Sequence, residues 1–306
     1  MKVLITGGLG YIGTELSYLL ASQVNIDKII IYDNLSRNNY NTFIGISKFF
    51  PNKVEFLEGD ILDTRKLKKV ISGVDAVIHL AAKVSTPFSD QNPHLFEQVN
   101  HWGTAELTYA IEAAPNIKKF IYASSVSVYG SSNTEFTIDS DLNPRTFYGI
   151  SKMRGEEHAA RLADKTNTII LRLGNVYGYS KSMRFDAVIN KFMFEANFKN
   201  KITINGDGNQ SRSFIHIHYA SQLLAQILLN DLIGGGTYNA TEENFTVNDI
   251  VDAIKELYPS MEMIFVNQHM KLRGLLVEKD ARLERLNIKK TVLADSLSQF
   301  KKEFTF

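Results

Sequence analysis

The first half of the chain alternates short, near-continuous apolar runs with longer stretches of helical periodicity. Runs at 2–6 (K-V-L-I-T), 28–33 (K-I-I-I-Y-D), 54–57, 76–80 (A-V-I-H-L), 120–123 (F-I-Y-A) and 168–173 (T-I-I-L-R-L) are rich in β-branched residues. Strands that are apolar on both faces belong inside a parallel sheet. Between them, a helix pattern opens at Gly10, with apolar positions Ile12, Leu16, Leu19 and Leu20, and others span 63–71, 96–114 and 149–163. This alternation predicts an α/β fold: a doubly wound parallel sheet of Rossmann type, covered by helices on both faces.

The rhythm changes after about Asn175. Aromatic and polar residues mix over 184–198, N-G-D-G-N at 205–209 reads as a turn, and Gly234-Gly235-Gly236 reads as a loop. The expected organisation is a doubly wound domain over 1–174 and a smaller mixed α/β domain over 175–306. Part of 211–235 is expected to return to the first domain.

Composition narrows the function. At 306 residues, 44% hydrophobic and 22% charged, the chain has ample material for a large core. Its net charge of +1 comes from 34 basic and 33 acidic residues, which argues against nucleic acid or an anionic membrane as partner. Cysteine is absent, which removes disulfides, thiolate metal sites and a thiol nucleophile. No apolar run approaches the ~18 residues of a membrane helix, and Val3-Leu4-Ile5 is too short for a signal segment. The expectation is a cytoplasmic protein without a metal site.

Residues 6–13 read T-G-G-L-G-Y-I-G, between a strand and a helix. Glycines at 7, 10 and 13 permit a tight turn and let backbone N–H groups approach a pyrophosphate, which the helix N-terminus also attracts. Asp33 ends the next strand, at the distance expected for a carboxylate that bonds ribose hydroxyls. It would repel a 2′-phosphate, so NAD is the expected cofactor, with Arg37 a nearby cation. The expected cofactor contacts are Gly7, Gly10, Tyr11, Ile12, Gly13, Asp33 and Asn34. Asp60 and Ile61 follow the third strand, and Leu80, Ala81 and Ala82 follow the fourth. His79 reads as a packed histidine.

Tyr148 and Lys152, in Y-G-I-S-K, share one helical face. A phenol titrates near 10, so it serves as a base at neutral pH only with help, and a nearby ammonium favours its phenolate. Ser124–Gly130, S-S-V-S-V-Y-G, follows the fifth strand and places hydroxyls at the end of the sheet where ligands bind.

With these motifs the sequence resembles the extended short-chain dehydrogenase/reductase family, in its nucleotide-sugar epimerase/dehydratase group. The matching segments run in order along most of the chain. They include T-G-G-L-G-Y-I-G, D-N-L-S from Asp33, G-D-I from Gly59, H-L-A-A from His79 and V-N-H-W-G-T from Val99. They continue with S-S-V-S-V-Y-G, Y-G-I-S-K, L-R-L-G-N-V-Y-G from Leu171 and G-D-G-N-Q-S-R-S-F from Gly206. The resemblance implies that Ser125, Tyr148 and Lys152 are catalytic, with Lys152 also on the nicotinamide ribose. It implies that Asn100 has a mainly structural role beside the cofactor, and that Ser85, Asn175 and Arg212 contact the substrate. Arg273 is the nearest candidate for a second diphosphate-binding arginine. A homodimer is implied, packed through the 96–114 helix and the helix of Tyr148.

Departures from the family pattern narrow the chemistry. Family dehydratases carry Asp-Glu after the catalytic hydroxyl residue; here Val126 and Ser127 follow Ser125. The usual R-D-F is Arg212-Ser213-Phe214, and His218 stands where an Asp usually follows. The leading expectation is an NAD-dependent nucleotide-sugar 4-epimerase. A one-way 4-ketoreductase or 4-dehydrogenase needs the same residues, and a non-catalytic dinucleotide-binding protein would need only the fold. The sequence leaves the base and the sugar open.

Overall fold

The computed structural model describes residues 1–44, 52–84, 92–267 and 274–305. The first half forms β1 (Lys2–Thr6), α1 (Tyr11–Ala21), β2 (Lys28–Asp33), β3 (Val54–Glu58), α2 (Thr64–Ile71), β4 (Ala76–His79), α3 (Pro93–Phe96), α4 (Gly103–Glu112), β5 (Lys119–Ser125), α5 (Phe147–Ala160) and β6 (Asn167–Leu173). The second half adds β7 (Asn175–Tyr177), α6 (Val188–Lys199), β8 (Lys201–Asn205), β9 (Ser211–His216), α7 (Ile217–Leu229), β10 (Gly236–Ala240), β11 (Glu243–Thr246), α8 (Val247–Leu257), β12 (Glu262–Val266) and α9 (Leu293–Lys302).

Seven strands form one parallel sheet in the order β10-β6-β5-β4-β1-β2-β3. Alternate residues of each strand serve opposite cores. Val3 and Ile5 pack with Leu16, Leu20, Leu223 and Ile227 on the α1/α7 face. Leu4 packs with Leu67, Leu107 and Ile111 on the α2/α4 face. This is why the runs are apolar at every position. The order reverses between β1 and β4, which opens a crevice at their carboxyl ends.

Beside this sheet stand a three-stranded sheet, β11-β9-β7, and the parallel pair β12-β8. A third core of Ile189, Phe192, Ile202, Ile204, Ile250 and Leu297 supports the pair. Residues 217–240 supply α7 and β10 to the large sheet, whereas β9 stays in the three-stranded one. The expected glycine loop therefore ends at Gly236, the first residue of β10, which pairs with β6.

The 96–114 segment is not one regular helix. Glu97–Trp102 is a π-helical stretch between α3 and α4. Such widened turns re-aim side chains, and this one includes the fully buried Asn100. Among the described residues no helix is long and apolar enough to cross a membrane, and no cluster of His, Cys, Asp and Glu could hold a metal ion.

Candidate active site

The crevice at the sheet's carboxyl end continues between the large sheet and the second half of the chain as a cleft of about 1170 Å³. At one end, the turn from β1 to α1 lines it with Gly7, Gly10, Tyr11, Ile12 and Gly13. Gly7 has a left-handed φ of 68°, and a Cβ there would lie 2.6 Å from the backbone of Ala81. The two loops thus meet backbone to backbone, which only glycine permits. No side chain caps α1 at Gly10, so the helix N-terminus keeps N–H donors for a ligand.

The Asp33 carboxylate is fixed at the end of β2 by the N–H groups of Leu9 (3.1 Å) and Leu35 (2.9 Å). Burial raises its pKa, and those N–H donors oppose the rise. Asn34, Ile61, Leu80, Ala81 and Ala82 also line the cleft. Asp60 is exposed and is not among the lining residues; its carboxylate accepts from Asn34 Nδ2 and the N–H of Leu62. The glycine cradle, the uncapped helix end and the ribose-height carboxylate together fit a dinucleotide.

Asn100 acts as a clamp. Its Oδ1 accepts from the N–H of Lys83 at 2.7 Å, while Nδ2 donates to the Lys83 carbonyl and to Ser151 Oγ. The loop after β4 is thereby tied to α5. His79 is fully enclosed between the Thr6 and Thr104 hydroxyls, and burial holds its pKa well below the ordinary value, so it packs as a neutral ring.

Midway along the cleft stand Ser125, Tyr148 and Lys152. Thr146 caps α5 by accepting from the N–H of Gly149 at 3.0 Å, which starts the helix one residue before Tyr148. A Cβ on Gly149 would fall 2.6 Å from the Ser127 carbonyl, so α5 packs directly on the turn that follows Ser125. Burial raises the pKa of the Tyr148 phenol, and the Ser125 hydroxyl and the Arg184 charge work against the rise. Lys152 is buried one turn along α5, its Nζ 4.6 Å from the centre of the Tyr122 ring. Burial pulls it down to about 7, opposed by Glu156. Both shifts act in favour of the uncharged forms. Ligand dipoles that favour the ammonium would then favour the phenolate too.

At the far end, Asn175 and Arg212 line the cleft. Asn175 Nδ2 donates to the Ser213 carbonyl at 3.0 Å. Arg212 lies on β9, where it forms a bridge with Leu275, and burial lowers its pKa. Gly274 and Leu275 line the same wall. Ser85 and Arg273 lie outside the described residues.

Sequence reasoning missed Arg184 and Gln210. Arg184 lines the cleft and grips Asp186 with two nitrogens, and its loop is held by Tyr11, whose hydroxyl donates to the Gly178 carbonyl. Among the described residues, Gln210 Oε1 is buried without a hydrogen-bond partner. The mixed aromatic-polar stretch at 184–198 was the available signal for Arg184, and the G-D-G-N-Q-S-R-S-F segment that for Gln210.

A parallel sheet with this cradle and this hydroxyl–phenol–amine set defines a dinucleotide-dependent enzyme of the short-chain dehydrogenase type. The family model described as "NAD dependent epimerase/dehydratase family" matches residues 3–240, and the chain belongs to that family. A Methanocaldococcus jannaschii protein named provisionally as a UDP-glucose 4-epimerase is 33% identical over 263 residues, 83% of this chain and 81% of that protein. Human dTDP-D-glucose 4,6-dehydratase is 30% identical over 277 residues, 86% of this chain and 76% of that protein. The structure of UDP-glucuronic acid 4-epimerase from Bacillus cereus, in complex with UDP-glucuronic acid and NAD, matches with a TM-score of 0.85 at 25% identity. That match covers 99% of this chain and 98% of the other. The protein is an NAD-dependent enzyme of the nucleotide-sugar epimerase/dehydratase group.

Proposed function

We propose that the protein is a nucleotide-sugar 4-epimerase that oxidises its substrate transiently at sugar C4. The observation that carries this reading is the meeting of Ser125, Tyr148 and Lys152 in one cleft with no acid beside Ser125. Val126 is packed into a small core with Val128, Tyr129 and Leu275, and the N–H of Ser127 bonds Ser125 Oγ at 3.2 Å. A 4,6-dehydration needs a second proton transfer at a neighbouring carbon, and neither residue can perform it.

In this reading Ser125 holds the C4 oxygen and Tyr148 Oη takes the hydroxyl proton. Lys152 lowers the cost of the phenolate and bonds the nicotinamide ribose. Bound NAD supplies reversible hydride acceptance. The turn at Gly7–Gly13 holds the pyrophosphate of the cofactor, and Asp33 its adenosine ribose. Asn175 and Arg212 hold the substrate diphosphate, where a charge-assisted pair is apt. When the ketone turns over in the cleft, Tyr148 returns the proton to the C4 oxygen of the epimer.

A homodimer goes with this reading. The π-helical stretch, α4 and α5 present Trp102, Tyr109 and Phe147 at 54%, 43% and 43% exposure. Exposed aromatics on these neighbouring elements suit a second copy of the chain.

The test is product analysis of the as-purified protein, without added cofactor, on UDP-, GDP-, CDP- and dTDP-sugars. The expected result is conversion of one of them to its C4 epimer. A turnover that appears only with added NAD(H) would replace the epimerase with a one-way reductase or dehydrogenase.

A further inference from the structure

Behind the catalytic set lies a second polar layer that the proposed reaction does not touch. Glu156 follows Lys152 by one turn of α5 and is 6% exposed. Its carboxylate accepts from Ser124 Oγ, from Arg172 Nε at 3.1 and 3.3 Å, and from a second Arg172 nitrogen at 2.8 Å. Arg172, on β6, also donates to the Tyr129 hydroxyl at 2.8 Å, and that hydroxyl donates to Asn239 on β10 at 2.7 Å. The two charges are thus paired with each other. Yet a buried ion pair is commonly no better for stability than well-packed apolar residues of the same volume. Packing alone does not call for a carboxylate here.

Lys152 does. Tyr148 and Glu156 flank it one turn away on either side of α5, and the Tyr122 ring from β5 and the neutral His79 from β4 lie against it. Arg172, from β6, is bonded to the same Glu156 carboxylate. Among the described residues Lys152 makes no direct ion pair, and the carboxylate of Glu156, one turn along the same face of α5, favours its ammonium form.

We propose that Glu156 is a positioning residue for the catalytic lysine. Fixed by Arg172 and Ser124, its carboxylate keeps Lys152 in the ammonium form beside Tyr148, and it locks the end of β5, where Ser125 lies, to α5. The inference rests on the proposed role of Lys152. Its electrostatic half is measurable without any substrate. Burial has already brought the lysine down to about 7, so the loss of the nearby carboxylate moves its titration across the working pH.

The experiment is a pH titration of the Lys152 side-chain resonance by NMR. It uses NAD-loaded protein carrying 13C-labelled lysine, with the assignment made from Lys152→Arg. In Glu156→Gln the midpoint falls by about one pH unit, the size expected for one close opposite charge. The alkaline limb of turnover falls with it, because the ammonium is lost at lower pH. A folded Glu156→Gln with an unmoved midpoint overturns the proposal, and so does a uniform loss of rate at unchanged profile. If that variant does not fold, Glu156→Asp decides the matter. It withdraws the carboxylate by one methylene and moves the midpoint the same way by less; an unmoved midpoint again overturns the proposal. A midpoint that moves in a protein that converts no nucleotide-sugar leaves this inference standing and removes the epimerase reading instead.

Discussion

Two glycine substitutions in the β1–α1 turn separate stability from cofactor binding. Gly7→Ala meets two obstacles. An alanine pays roughly 1–2 kcal/mol to hold the left-handed φ of 68°. Its Cβ also lies 2.6 Å from the N and Cα of Ala81, inside any real contact distance, and backbone cannot rotate away. Overpacking of this kind costs about 1–3 kcal/mol. Together they remove about 2–5 kcal/mol from a domain whose total stability is of order 5–15 kcal/mol. Gly10→Ala is different. Its backbone is in an ordinary extended conformation, φ −72°, and its Cβ meets only the Gly7 carbonyl at 3.0 Å. Its stability stays within about 1 kcal/mol. The new methyl instead crowds the turn at the start of α1, where the proposed pyrophosphate site lies, and is expected to displace at least one charge-assisted hydrogen bond there. That loss is about 1.5–3 kcal/mol, a roughly 10- to 150-fold weaker Kd for NAD. Denaturant unfolding and calorimetric titration with NAD read the two effects apart. Wild-type NAD affinity in Gly10→Ala would refute the placement of the pyrophosphate on this turn. Wild-type stability in Gly7→Ala would refute the close packing of the two loops.

Three further outcomes are expected. Tyr148→Phe keeps NAD and loses turnover by about 10²- to 10⁴-fold; a loss below tenfold in steady-state rate removes the phenol from proton transfer. His216 is held near 4 by burial and by His218, below its ordinary 6.5. The unfolded chain therefore takes up the proton first, and stability present above 6.5 is lost as pH falls toward 4. Its share is about 2 kcal/mol between pH 7.5 and pH 5. Urea unfolding of His216→Asn should show a smaller drop over that range, and an equal drop assigns the acid sensitivity elsewhere. Trp102→Arg should halve the sedimentation mass at unchanged circular dichroism, and an unchanged mass places any dimer contact on another face.

Much of this was legible in the sequence, and the gaps have physical causes. The five inner strands of the large sheet announced themselves because burial on both faces favours near-continuous apolar runs; β3, at one edge, was legible only from its short V-E-F-L run. β10 did not, because Gly236–Ala240 is an edge strand of sequence G-T-Y-N-A, paired on one side and carrying Asn239 as the acceptor for Tyr129. Asp33 could be read from its spacing, since a strand of fixed rise ends at a fixed place. The partners of Asp60 could not, because Asn34 comes beside it only when β2 and β3 pair. Ser125, Tyr148 and Lys152 sit at a strand end and a capped helix start, where local rules place side chains. Arg184 rides on a loop whose position depends on Tyr11, Gly178 and Asn190, residues far apart in sequence. The Glu156–Arg172 pair was invisible for the same reason: it joins α5 to β6 only after the sheet has formed.

The central claim is that hydride leaves sugar C4 and returns to the same carbon. The direct measurement uses the nucleotide-sugar that the protein converts, deuterated at C4, with the as-purified enzyme in ordinary water. The account predicts a C4 epimer that keeps the deuterium at C4 without net NADH release. Deuterium lost to solvent, moved to C6 or recovered in free NADH would contradict it.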